Sequence, residues 1–181
     1  DSLAGVVTGT HNSGLGNAAL AALTSGAFNA ASGSNSLVGL TTGSANTAMG
    51  YQSLKSMVSD SNTVGIGTNA GVNSTTSQSV IIGSQANASG VMTGDNNTYV
   101  GYASGFNSTS GDLNVGVGSN ALAGNLSGAR NIAIGANALD ANTVGSKNIA
   151  IGTDALGANV DGSRSVAVGE ATLQNQEPAS A

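Results

Sequence analysis

The chain has 181 residues, enough for one or two domains with a sizeable core, yet only 7% are charged and 3% aromatic, against roughly a quarter charged in ordinary globular proteins. There is no Trp or Cys and one Pro, while Gly numbers 28, so large side chains cannot fill a core, and disulfides and thiolate sites are excluded. The net charge is -5 and the four Lys and Arg read as scattered singly, which argues against a basic stripe for nucleic acid; no apolar run approaches the ~20 residues that span a bilayer.

In chain order the sequence resolves into one repeated phrase that closes on a Gly. These anchors are Gly16, Gly33, Gly50, Gly67, Gly83, Gly101, Gly118, Gly135, Gly152 and Gly169, at intervals of 17, 17, 17, 16, 18, 17, 17, 17 and 17 residues. Four positions before each anchor stands a small polar residue, among them Asn114, Asn131, Asn148 and Ser165. Aliphatic residues recur three and one before it, as in Ile132 and Ile134, Ile149 and Ile151, Val166 and Val168. Between them lies Gly or Ala in eight of ten copies, with Ile81 and Tyr99 departing. Leu stands four after the anchor in seven of ten copies, and a further Gly seven before it in eight of ten.

Aliphatic, small, aliphatic is a period of two, and Val and Ile favour strands. Successive strand side chains point to opposite faces, so neither face of this strand is polar and both should be buried. The expected arrangement places the aliphatic columns inside the coil and the small column where backbones crowd. The segment after the anchor reads as a short second strand that sends one Leu inward. A 17-residue unit cannot bury its own apolar face, so the copies must stack, with equivalent residues roughly 4.8 Å apart. The Asn column should then pair amides from coil to coil. The second apolar face calls for a partner, which an oligomer packed side by side around a symmetry axis supplies.

The phrases SVAVGEATL, NIAIGTDAL, NIAIGANAL, NVGVGSNAL and NTVGIGTNAG resemble the head repeats of trimeric autotransporter adhesins, the YadA-like head family. The resemblance is fullest from Asn114 to Leu173 and weaker before Gly43. It implies an all-β fold: a left-handed parallel β-roll, or β-solenoid, of about ten coils of 16–18 residues, assembling as a parallel homotrimer. It further implies a non-enzymatic, surface-exposed head on a longer protein of the bacterial outer membrane, binding a host extracellular-matrix protein or cell-surface receptor without a cofactor. The interval of about 17 is longer than is common in that family. NTAMGYQSL, Asn46 to Leu54, is also similar to repeats of phage tail fibres, whose modules recognise surface glycans. On this reading residues 1–173 form the head and 174–181 a C-terminal extension or the start of a neck. The start at Asp1 instead of Met suits a piece of something longer.

Candidates for chemistry are few. His11, the single His, lies in the least regular part of the chain, where a solvated loop residue is the expectation. Asp140, Asp154, Asp161 and Glu170 share no constant pair of columns and read as surface charges. The Gly-x-Gly stretches recur with the repeat and lack the Lys of a phosphate loop. TGDNN (Thr93 to Asn97) and VDGS (Val160 to Ser163) read as turns rather than cation sites. The N-x-[ST] triplets at Asn73, Asn87, Asn107 and Asn125 read as surface loops. Tyr51 and Tyr102 share the variable column just after the anchor and are the candidate ligand-contact residues. Tyr99 replaces a small residue and should mark a local widening near the irregular intervals.

Overall fold

The computed structural model describes residues 8–174. Ten strands of three residues follow one another: β1 (Ser13–Leu15), β2 (Ala30–Ser32), β3 (Thr47–Met49), β4 (Val64–Ile66), β5 (Val80–Ile82), β6 (Thr98–Val100), β7 (Val115–Val117), β8 (Ile132–Ile134), β9 (Ile149–Ile151) and β10 (Val166–Val168). They form one parallel sheet in chain order. Turns connect them, and no helix occurs among the described residues. The chain is therefore a parallel β-solenoid of about nine turns. Register survives the irregular intervals, because Val64 pairs with Val80 and Val80 with Thr98.

The expected facing of the strand is reversed. Ala133, Ala150 and Ala167, at the strand centres, point into the coil and are buried. Ile134 and Ile151 point out of it and are 40% and 38% exposed. Ile132 and Ile149 are half-buried on the same outer side, and Val166 and Val168 are exposed. The reason is volume. The coil interior must also hold the Leu four residues after each anchor, and a strand centre opposite that Leu has room for Ala or Gly only: a Cβ on Gly65 would stand 2.5 Å from Leu54 Cγ.

That Leu does point inward, but the expected second strand is absent and its place is taken by turns. Leu20, Leu37, Leu54, Leu122, Leu139 and Leu156 are fully buried and hold φ between 48 and 57°. The left-handed conformation costs a non-Gly residue about 1–2 kcal/mol. Burying a Leu side chain returns about 1.5–3 kcal/mol, and the strained backbone also keeps its hydrogen bond, for example Leu139 N–H to Ala155 O at 3.0 Å. Burial therefore decides the conformation.

The Asn column supports the stack, largely by a different pattern from amide pairing. The Oδ1 atoms of Asn114, Asn131 and Asn148 accept the backbone N–H of the equivalent residue in the next coil, Asn131, Asn148 and Ser165, at 2.9–3.0 Å. Their Nδ2 groups donate to the carbonyls of Gly128, Gly145 and Gly162 at 2.7–2.9 Å. Amide-to-amide bonds join Asn29 to Asn12 and Asn46 to Asn29, each at 3.1 Å. One side chain thus satisfies two buried backbone groups that no strand ladder reaches, which is why a short residue with both donor and acceptor recurs there.

The anchor glycines meet the expectation of a turn and a close approach together. Gly135 has φ 135°, and a Cβ there would lie 2.5 Å from Gly152 O in the next coil. The irregular coils conserve volume instead of sequence. Where Ile81 and Tyr99 replace a small strand centre, Gly71, Asn87 and Gly105 replace Leu; a Cβ on Gly71 would lie 2.9 Å from Ile81 Cδ1, and one on Gly105 2.7 Å from the Tyr99 ring. Tyr99 is fully buried.

The phenol of Tyr99 lies among Ser108, Asn114 and Asn125, but its Oη makes no hydrogen bond of good geometry. Asn114 and Asn125 both donate to Gly128 O instead, each at 2.9 Å. Burial raises the phenol from 10.0 to about 12, the three polar neighbours opposing the rise. Folded chain thus retains the proton that unfolded chain releases. Stability from this group is fully present below pH 10 and is lost between pH 10 and about 12, by roughly 3 kcal/mol at 1.36 kcal/mol per unit. Melting curves across that window should show the fall, and Tyr99→Phe should remove it while costing little at pH 7.

Candidate binding surface

The outward strand residues form two straight columns on one face of the sheet. From β4 to β10 they are Val and Ile at every position except Thr98. Seven strands at about 4.8 Å make this stripe roughly 30 Å long between its first and last strands. Toward β1 the first column shrinks to Ser13, Ala30 and Thr47, and a shallow depression opens between Leu15, Ser32 and Met49. The face thus changes along the axis, apolar and full over most of its length, small and partly polar at one end.

Two columns flank it. On one margin, immediately after the anchor, Tyr51 and Tyr102 are exposed, about half of each surface being open. They stand three coils apart, with Thr68 and Ser84 between them, and make no joint platform. Glu170 lies on that margin and is exposed; the neighbouring Asp154 is half-buried, its Oδ1 accepting from Asn137 Nδ2 at 3.0 Å. Burial raises the pKa of Asp140, with the nearby Asp154 charge adding to the rise. On the other margin, two residues before each strand, stand Arg130, Lys147 and Arg164 in consecutive coils, all exposed. Three of the four cations of the chain are therefore in register, which corrects the reading that they are scattered.

The remaining sequence candidates have structural occupations. His11 stacks on Phe28, ring centroids 5.0 Å apart, at the N-terminal end of the margin that carries the cations. Asp95 of TGDNN accepts from Ser77 N at 2.7 Å, and its own N–H donates to Asp112 Oδ1 at 2.9 Å, so both carboxylates close turns between coils. Asp161 of VDGS is exposed. Among the described residues no three His, Cys, Asp or Glu side chains gather as metal ligands. Asn87 and Asn125 are fully buried, so those two triplets are not surface loops; Asn73 and Asn107 are half-exposed. No helix among the described residues is long and apolar enough to cross a membrane.

Two features escape a reading by residue type. Inside the coil, the position seven after the anchor changes from Leu23, Leu40 and Met57 to Asn125, Asn142 and Asn159. The latter form a second buried ladder, Asn142 Nδ2 to Asn125 Oδ1 at 2.8 Å, each donating also to the Gly three residues on. The signal is N-x-x-G in three consecutive copies. The cation column is likewise visible as GARN, GSKN and GSRS once the repeat is aligned. Compared with protein-family models, with curated proteins and with solved structures, the chain matches none of them, so its functional reading rests on the repeat and on this surface.

Proposed function

We propose that the chain is the exposed head of a trimeric surface adhesin, a non-enzymatic rod whose coils wind left-handed and whose three copies lie parallel. The observation that carries this reading is the outer face of β4–β10. Two columns of Val and Ile, broken only by Thr98, lie on the outside of the coil, half-buried over most of their length and exposed at Ile134, Ile151, Val166 and Val168, on a chain otherwise sparing with large apolar residues. Contiguous apolar patches on soluble proteins mark interaction surfaces. A straight stripe parallel to the axis is matched by the same stripe of another copy, and closed rings of identical chains satisfy it without leaving an edge.

The repeat phrases favour the YadA-like head family, and with it a bacterial outer surface and a host extracellular-matrix protein or cell-surface receptor as ligand. Recognition then falls to the residues that vary between coils, including Tyr51 and Tyr102, with three chains contributing by multivalency. The second reading, a phage or other virion fibre module for a cell-surface glycan, is favoured by NTAMGYQSL at β3. Parallel binding to immobilised matrix proteins and to a neutral glycan array separates them. Saturable binding to a matrix protein, weakened by Tyr51→Ala with Tyr102→Ala, is the expected result; binding confined to neutral glycans would overturn the adhesin reading.

A further inference from the structure

We propose that Arg130, Lys147 and Arg164 form a rail for an extended anionic polysaccharide, one bearing sulfate or carboxylate groups, laid along the solenoid axis. The register of β8, β9 and β10 sets Ile132 beside Ile149 and Ile149 beside Val166, so the residues two positions earlier stack as well. At about 4.8 Å per coil the three backbones span roughly 10 Å in a straight line. A linear polymer with closely repeated anions fits that geometry; a single small anion does not use it.

Folding alone does not account for the charge on the rail. Each residue sits in the left-handed region, with φ of 58, 62 and 61°, where Asn or Gly is the cheaper occupant. The same left-handed column holds His11, Phe28, Ala45, Asn62, Gln78, Asn96 and Leu113 in earlier coils, so the fold accepts many side chains there and does not require a cation. Like charges placed directly opposite on adjacent strands repel. All three side chains are exposed, so burial does not offset that repulsion. Cations held at such positions are explained by a partner that needs them.

The chemistry narrows the partner. Two of the three are Arg, whose planar fork takes sulfate or carboxylate through two parallel hydrogen bonds. No Phe, Tyr or Trp occurs after Phe106, so the rail has no platform on which bases would stack, which disfavours single-stranded nucleic acid. The chain as a whole is acidic, at -5, so retention of a polyanion requires a local site. Asp112, one coil before Arg130, accepts the Asp95 N–H and keeps its negative charge, and Asp161 is exposed three residues before Arg164, so the positive strip is confined to the column of the three cations.

Heparin serves as the probe, with the triple variant Arg130→Asn/Lys147→Asn/Arg164→Asn; Asn suits the left-handed backbone, so the variant should melt no lower than the wild type. Wild type should bind heparin at low salt, weakening about 16-fold more steeply than the variant between 50 and 200 mM, which corresponds to a slope difference of about 2 for three cations. Lys55→Asn, which removes the fourth cation, should leave binding unchanged. Absence of wild-type binding, equal binding by the triple variant, or an equal loss in Lys55→Asn would overturn the rail. Tighter binding of single-stranded DNA than of heparin would overturn the ligand class. A triple variant whose assembly mass falls, with no heparin bound by the wild type, would instead assign the cations to a boundary between chains.

Discussion

Replacing Ala150 by Asp should abolish the folded solenoid, whereas replacing Ile151, the next residue, by Asp should leave each chain folded and remove its ability to associate. Ala150 is fully buried at the centre of β9, in the apolar core that also holds Leu139 and Leu156. An ionised carboxylate there has neither water nor a partner, and even protonation leaves an unsatisfied acid. The cost is about 4 kcal/mol or more, a large part of the roughly 5–15 kcal/mol that holds a typical domain. Ile151 points the other way and is 38% exposed in the single chain. Asp there costs the chain about 1 kcal/mol or less, but it places a charge in the middle of the stripe that the assembly would dehydrate. Circular dichroism and melting curves should separate the first variant from wild type, and sedimentation the second. A monomeric but folded Ala150→Asp would contradict the inward facing of the small column.

Gly135→Ala should be nearly as damaging although it adds one methyl group. The new Cβ would stand 2.5 Å from Gly152 O and 2.6 Å from its carbonyl carbon, both backbone atoms. Neither coil can retreat, because Gly135 N–H is bound to Val117 O and Gly152 N–H to Ile134 O, each at 2.8 Å. The φ of 135° is also outside what Ala adopts without strain. Strain and overpacking together should cost about 3–5 kcal/mol. Gly157→Ala is the control. It lies on a turn where the nearest atom to an added Cβ is Asp154 O at 3.2 Å, and it should change stability by about 1 kcal/mol or less.

Most of the architecture is legible in the repeat itself. The interval near 17 gives the coil, the Val-Ala-Val or Ile-Ala-Ile alternation gives the strand, and the recurring Gly gives the points where backbones touch. The direction in which the strand faces is not legible, because period two fixes alternation and leaves the sign open. That sign is decided by the Leu four residues after the anchor, which fills the interior and leaves Ala133 or Ala150 as the only strand residues small enough to join it. The second strand fails for a related reason. Leu139 and Leu156 are placed by burial in left-handed turns that their own propensity disfavours, and no local sequence rule anticipates that. On the surface, residue type hides what register reveals. Arg130, Lys147 and Arg164 look isolated along the chain and become neighbours only when the coils are stacked.

The proposed trimer requires the outer face of β4–β10 to be covered by other copies of the same chain. Sedimentation equilibrium of the wild-type protein at micromolar concentration tests this most directly. The predicted result is a single species of three 17.2 kDa chains, reduced to one chain by Ile151→Asp. A folded wild-type monomer of 17.2 kDa under those conditions would contradict it.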